Sequence, residues 1–441
     1  MNNKKWGYLI HLSTNMWNDK PPESYRSDYL KIRGLSPKLL CDDVCWRQVT
    51  EQLAWAGANM LMVDVGDGVV LPSHPELALE GSWTAERLQR ELARLRGMGF
   101  EVIPKLNFST THDSWLKEYH RKISTPEYYR VCEDVIRDVA ELFGHPKFMH
   151  IGMDEELPNF GRFTDYGVFR QGYLWWHDFQ KIVGWVEACG MRAISWSTTM
   201  RHTKDYVRHT PKSVIFCVGE PAYTPVPIDA KRPCLDFAID AAKNGYELFF
   251  YGSNWASDEN FRDVVAWSRA HIPDERVLGY LMAPWVRTLP QFKRQSQRAI
   301  NYLEDAMLLT GVKAPPLGIR AAFAAWIVDK DMKTVLQFKY PEDRMSLKAG
   351  ETLVLDFGVG AERPVLDTRV SEPATVRLRT ANTLDGWSPV FLPGSSTAEC
   401  RPFEDRSEPS TPLTPGRYLA VTADKAVNFT KIAVRADGKT V

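Results

Sequence analysis

The sequence predicts a (β/α)₈ barrel followed by a small all-β domain, on three observations. Short apolar segments alternate with amphipathic helical stretches across roughly the first 310 residues. The apolar segments read as near-continuous runs, as expected of parallel strands buried on both faces. After Gly311 the helical pattern gives way to short strand-like segments between turn residues. A chain of 441 residues accommodates a barrel of about 250 residues or more plus a small domain.

Taken in order, the strand candidates are Gly7–Leu12, Met60–Val65, Glu101–Phe108, Phe148–Met153, Ala193–Ser197, Val214–Val218, Leu248–Tyr251 and Leu278–Met282. Between them lie helix candidates Asp42–Ala56, Ala85–Arg96, Pro126–Leu142, Leu174–Ala188, Leu235–Lys243, Asn260–Ala270 and Phe292–Leu309. Tyr206–Thr210 is short for a helix, so one crossover is expected to be degenerate. Ala56-Gly57, Gly97 with Gly99, Gly144 and Gly190 supply stop signals, because glycine tolerates the left-handed conformation that ends a helix. An open doubly wound sheet is the rival. It is disfavoured because the first junction, His11 to Trp17, contains no glycine-rich phosphate turn.

Ala314-Pro315-Pro316 precedes a last apolar stretch, Ile319–Ile327, with helical character. The domain boundary is placed at Lys330-Asp331, giving a barrel over 1–330 and a β sandwich over 331–441. Thr352–Phe357, Thr375–Leu378, Tyr418–Val421 and Asn428–Ala433 are its strand candidates. For this domain packing or homodimer formation is as good a role as sugar binding, since Trp387, Phe391, Phe403 and Tyr418 form no obvious group.

Composition excludes several classes. Lys+Arg and Asp+Glu each number 55, so the formal net charge is zero, which argues against a nucleic-acid or membrane-surface partner. The seven cysteines (41, 45, 132, 189, 217, 234 and 400) contain no CxxC pair and read as reduced, buried thiols. Cys41 and Cys45 share a helix face, but no second pair completes a zinc site. Lys4 and Lys5 precede only a short apolar stretch with no cleavage site, and no segment reaches membrane-spanning length. The expectation is a cytoplasmic protein, or a periplasmic or secreted one if a leader has been removed.

In a barrel of this type, functional side chains come from the C-terminal ends of strands and the loops after them. Strand 1 ends with His11, strand 2 with Asp64, and strand 3 with Lys105, Asn107 and His112. Strand 4 ends with His150 and the acidic run Asp154-Glu155-Glu156. Trp196, Glu220, Tyr251 with Trp255, and Trp285 with Arg287 end strands 5 to 8. Adjacent carboxylates push their pKa values apart, so one site can hold both a proton donor and an anion. Several tryptophans at one mouth suit the C–H faces of a sugar ring, with carboxylates and amides left to bond its hydroxyls. The expected partner is a carbohydrate.

His150-Ile151-Gly152-Met153-Asp154-Glu155 resembles the His-x-Gly-Gly-Asp-Glu signature at the end of strand 4 in family 20 β-N-acetylhexosaminidases. Val102-Ile103-Pro104, Ile194-Ser195-Trp196, Tyr251-Gly252-Ser253 and Pro284-Trp285-Val286-Arg287 are similar to further segments of that family, over roughly residues 5–310. The resemblance implies an exo-acting, retaining glycoside hydrolase without an enzyme nucleophile or cofactor, in which the substrate's 2-acetamido oxygen attacks the anomeric carbon. Glu155 would then be the general acid/base, and Asp154 would orient the acetamido group and stabilise the cyclic intermediate. Tyr251 would bond the acetamido oxygen, and Trp196, Trp255 and Trp285 would box the ring. The chain departs from the pattern at Met153 for glycine, His11 for a strand 1 arginine, Ser253 for an aspartate and Arg287 for a glutamate. The substrate is therefore expected to differ from a terminal N-acetylglucosamine, and Arg287 suits a carboxylate or sulfate.

Three alternatives stand beside this reading. A two-carboxylate glycosidase would need Glu220 or Asp64 as partner to Glu155. A metal-dependent barrel lyase, isomerase or hydrolase would use His150, Glu155, His112 and Asp64, although no HxH or HExxH is present and no metal is expected. A non-catalytic carbohydrate-binding protein would keep the groove without turnover.

Overall fold

In the computed structural model, residues 4–26, 31–157, 168–199, 205–219, 226, 230–255, 257–310, 324–331, 334–338, 345–361, 365–381, 394–402, 410–411, 413–414 and 416–435 are described. The chain divides into two compact units, one of Met1–Glu51 with Ala58–Ala306 and one of Gln52–Gly57 with Met307–Val441.

The first unit is a closed, eight-stranded parallel barrel, the architecture the alternating text predicts. Its strands are β1 (Lys5–His11), β2 (Met60–Asp64), β3 (Glu101–Lys105), β4 (Phe148–His150), β5 (Arg192–Trp196), β6 (Ile215–Val218), β7 (Glu247–Gly252) and β8 (Val277–Met282). Helices follow as α1 (Asp43–Trp55), α2 (Ala85–Gly97), α3 (Pro126–Leu142), α4 (Tyr173–Ala188), α5 (Tyr206–His209), α6 (Pro233–Lys243), α7 (Asn260–His271) and α8 (Lys293–Leu309). The short crossover α5 is a single turn, as its text suggests. Side-chain caps fix two starts: Thr84 accepts from Arg87 N, and Thr125 accepts from Tyr128 N with Pro126 in the first turn.

β3 and β4 stop earlier than the apolar text implies, at Lys105 and His150. After Ile151 the backbone enters the left-handed region at Gly152 (φ 70°), Met153 (φ 62°) and Glu155 (φ 56°), which ends regular pairing. Single bonds persist beyond the strand, from Phe108 N to Ile151 O (3.1 Å) and from Trp196 N to Gly152 O (3.1 Å).

Leu9, Met62, Ile103, Phe148, Ile194 and Phe249 pack together in the barrel interior. Two residues further along each of the first four strands, the interior turns polar. His11 registers with Asp64, Asp64 with Lys105, and Lys105 with His150. The apolar plug thus carries a half-ring of buried polar side chains at its C-terminal end.

The second unit has a six-stranded sheet, ordered β10-β9-β12-β16-β14-β15, and a three-stranded sheet, β11-β17-β13. These strands are β9 (Ala324–Val328), β10 (Thr334–Phe338), β11 (Met345–Leu347), β12 (Thr352–Ala361), β13 (Val365–Val370), β14 (Ala374–Ala381), β15 (Gly394–Cys400), β16 (Gly416–Ala423) and β17 (Val427–Arg435). Leu353 and Leu419 of one sheet share an apolar core with Leu347, Leu366 and Phe429 of the other. The expected helix over Ile319–Ile327 is corrected where it is described. Ala324–Val328 is a strand antiparallel to β12, ahead of the boundary expected at residue 330. Trp387, Phe391 and Phe403 lie outside the described residues. No described helix is long and apolar enough to cross a membrane.

Candidate active site

The acidic run leaves β4 on a backbone that only tight packing can hold. A Cβ at Gly152 would stand 1.9 Å from Asn107 Oδ1, and its φ is left-handed, so the position requires glycine. Asn107, just past β3, uses that closeness. Its Oδ1 accepts from Met153 N (3.2 Å) and Ser109 N (3.0 Å), while its Nδ2 donates to Asp154 Oδ1 (2.9 Å). Ser109 Oγ donates to the Asp154 carbonyl. Left-handed, non-glycine residues cost about 1–3 kcal/mol each and persist where the surroundings over-determine them. Here the β3 loop does so at Met153 and Glu155.

Glu155 and His112 face each other, with Glu155 Oε2 3.0 Å from His112 Nε2 and Asp154 Oδ2 3.8 Å from the same nitrogen. His112 Nδ1 donates to the Met16 carbonyl (2.8 Å), fixing the ring. Burial lowers the imidazole's pKa, but Asp154 and Glu155 outweigh it and raise the value to about 9, so His112 carries a proton at neutral pH. Burial, and then repulsion from Glu155, push Asp154 above the ordinary carboxylate range, opposed by His112 and Asn107. The sequence-based division of labour leaves Asp154 as the readily ionised partner, whereas burial moves it the other way. Burial, and then Asp154, raise the Cys217 thiol on β6 above its ordinary value.

Glu156 has a different environment. Arg170 Nε donates to both its oxygens at 3.2 Å, Arg170 Nη2 also donates to it, and Thr110 N donates at 2.8 Å. Arg170 also donates to Asp178 Oδ2 (3.0 Å) and to the Phe108 carbonyl (2.6 Å). Arg170 and Asp178 have no sequence signal, since a lone arginine in loop text reads as solvated.

The polar half-ring is fully buried. Asp64 Oδ2 accepts from Lys105 Nζ (2.7 Å) and from His11 Nδ1 (3.1 Å). Burial raises the Asp64 carboxyl, but Lys105 and His11 together bring it below its ordinary value. His150 Nδ1 accepts from Gly152 N (3.0 Å), so its proton sits on Nε2, and burial beside Lys105 keeps the ring neutral. His11 Nε2, Asp64 Oδ1 and His150 Nε2 are buried and unpartnered.

An aromatic group completes the mouth. Trp196 lies 4.3 Å from the His150 ring, 4.7 Å from Tyr251 and 5.7 Å from Trp285, and Trp285 lies 6.2 Å from His11. Trp255 instead stacks with the Arg33 guanidinium at 4.8 Å. Arg287 donates to Thr14 Oγ1 (3.3 Å) and to the Gly34 carbonyl (2.9 Å). Glu220 lies outside the described residues.

The geometry thus brings His11, Asp64, Asn107, His112, His150, Asp154, Glu155, Trp196, Tyr251 and Trp285 to one end of the barrel. Among the described residues, His112, Asp154 and Glu155 present ligand atoms within 4.8 Å of one another, a set able to hold a divalent ion. His150 and Asp64, the other residues of the metal reading, are outside that set.

No protein-family model and no curated protein matches the chain. Solved structures with a similar fold include the GH20 exo-β-N-acetylglucosaminidase of Vibrio harveyi (13% identity, TM-score 0.45, covering 70% of this chain and 58% of that one). The GH20 β-N-acetylhexosaminidase of Streptomyces coelicolor is another (13% identity, TM-score 0.48, 68% and 64%). A third is the β-N-acetylhexosaminidase of Bacteroides fragilis (11% identity, TM-score 0.48, 69% and 65%). The chain thus spans less than two thirds of the length of each.

Proposed function

We propose that the chain is a glycoside hydrolase, exo-acting and retaining, working by substrate assistance with Glu155 as general acid/base. The observation that carries this reading is the Asp154-Glu155 pair held over the barrel mouth, with one carboxylate anchored by Asn107 and the other facing a protonated histidine. His112 Nε2, 3.0 Å from Glu155 Oε2, stores the proton that Glu155 delivers to the departing glycosidic oxygen. Asp154, anchored through Oδ1, orients the acetamido N–H and stabilises the positive charge that develops as its oxygen attacks. Trp196, Trp285 and Tyr251 supply the apolar wall for the ring, with Tyr251 also bonding the acetamido oxygen. Of the partners considered for a two-carboxylate mechanism, Asp64 is buried and already engaged by Lys105 and His11, so it is poorly suited to activating a water.

Chromogenic glycosides with and without a 2-acetamido group, tried on wild type, Glu155→Gln and Asp154→Asn, test the reading. Turnover confined to the acetamido series and lost in both variants supports it. Equal turnover of sugars lacking that group would remove substrate assistance.

The cluster of His112, Asp154 and Glu155 favours a second reading, a metal-dependent barrel hydrolase. The hydrogen bond from His112 Nδ1 to a carbonyl is the kind that orients metal-bound histidines. Stoichiometric zinc, manganese or magnesium in purified protein, with activity lost on chelation, would select it over the glycosidase.

A further inference from the structure

We propose that Arg287 receives an anionic substituent, a carboxylate or a sulfate, on the sugar bound at this mouth; the assignment rests on the glycosidase reading above. Arg287 follows Trp285 by two residues, on the segment leaving β8, and is only 8% exposed. Thr14 Oγ1 and the Gly34 carbonyl accept from it at 3.3 and 2.9 Å, and both are neutral. A guanidinium has five N–H donors, so most of the fork remains unused.

Among the described residues, Lys105 and Arg170 are the other buried cations, and both are paired. Lys105 meets Asp64 at 2.7 Å, and Arg170 meets Glu156 and Asp178. Among the described residues no carboxylate forms a salt bridge with Arg287, and burial alone lowers its pKa, to about 10. A largely buried guanidinium with no counter-charge is unfavourable, whereas tying two loops through neutral acceptors needs only a neutral amide donor. A charge kept at that cost is explained by an anion that arrives with the ligand. The planar fork matches the paired oxygens of a carboxylate or sulfate.

Its position agrees. Arg287 bonds the loop after β1 through Thr14, and the neighbouring Thr288 Oγ1 donates to the His11 carbonyl (2.6 Å). The His11 ring in turn lies 6.2 Å from Trp285, on the edge of the aromatic group. The anion would therefore sit on the flank of the ring wall, between the β8 and β1 loops.

The test is calorimetric titration of glucuronate and of N-acetylglucosamine 6-sulfate, each beside its neutral parent sugar, into wild type, Arg287→Gln, Arg287→Lys and Glu155→Gln. Wild type is expected to prefer one anionic sugar over its parent by about tenfold or more. The preference should vanish in Arg287→Gln, weaken several-fold in Arg287→Lys, and persist in Glu155→Gln. Which sugar shows it identifies carboxylate or sulfate. Charged and neutral sugars binding alike, or a preference that survives Arg287→Gln, overturns the proposal. Should Arg287→Gln fail to fold, as a thermal melt would reveal, an unaltered preference in Arg287→Lys overturns it instead. Absence of turnover by wild type on any glycoside, charged or neutral, would sink the glycosidase reading while leaving the anion preference standing, so the two failures separate.

Discussion

Glu155 and Glu156 are consecutive in the chain, yet they occupy opposite kinds of surroundings. Glu155 has 32% of its side chain exposed and, among the described residues, meets the His112 imidazolium at 3.0 Å. Glu156 has no side-chain exposure and accepts from Arg170 and from the Thr110 amide. The first carboxylate is open to what enters the mouth. The second is saturated by a buried cation and serves as an anchor. Glu155 itself sits at a left-handed φ of 56°, outside the extended conformation of the strand before it. A part-exposed carboxylate and the buried anchor that locks its frame can therefore be adjacent in sequence.

The largest expected break in this contrast is Glu155→Gln. Turnover of a chromogenic substrate should fall about 10³-fold or more, while the melting temperature moves little. Glu156→Gln should do the reverse. Leaving the buried Arg170 with Asp178 as its one remaining carboxylate is expected to cost about 3 kcal/mol, read from denaturant unfolding. Asp154→Asn should lower kcat about 10²-fold, since the positive charge developing on the substrate loses its counter-ion. Gly152→Ala adds a Cβ against Asn107 and a left-handed strain of roughly 1–3 kcal/mol. It should lower stability and kcat together, sharpening the link between anchor and acid.

The smallest effect concerns pH. The pKa of His112 in the folded protein, about 9, lies above its ordinary 6.5. Its attraction to Glu155 and Asp154 is therefore present in full below pH 6.5 and lost as pH rises through about 9. Thermal melts of wild type should decline over that window, and His112→Gln should flatten the decline.

The contrast also shows what could be read in advance. The eight strands and their helices were legible because each apolar run and amphipathic stretch agrees with a period of its own. Asp154, Glu155, His112 and Trp196 were legible because barrel chemistry collects at strand ends. Arg170 was not, since nothing local separates a buried arginine from a solvated one. The carbonyl of Met16 was invisible for a simpler reason, being backbone. The early ends of β3 and β4 were missed because Met153 and Glu155 adopt glycine-like dihedrals without being glycine. The text of Ile319–Ile327 reads as helical, although its described part lies in the strand Ala324–Val328, because a short apolar run carries no period that separates strand from helix.

The pairing of Glu156 with Arg170 pins together two points of the chain on either side of the segment between them. Arg170 stands three residues ahead of Tyr173, where α4 begins, and Asp178 inside α4 closes the connection through its own bond to Arg170. The clamp thus carries the frame of the acidic run onto that helix. A substitution that loosens α4 would reach Asp154 and Glu155 without touching either.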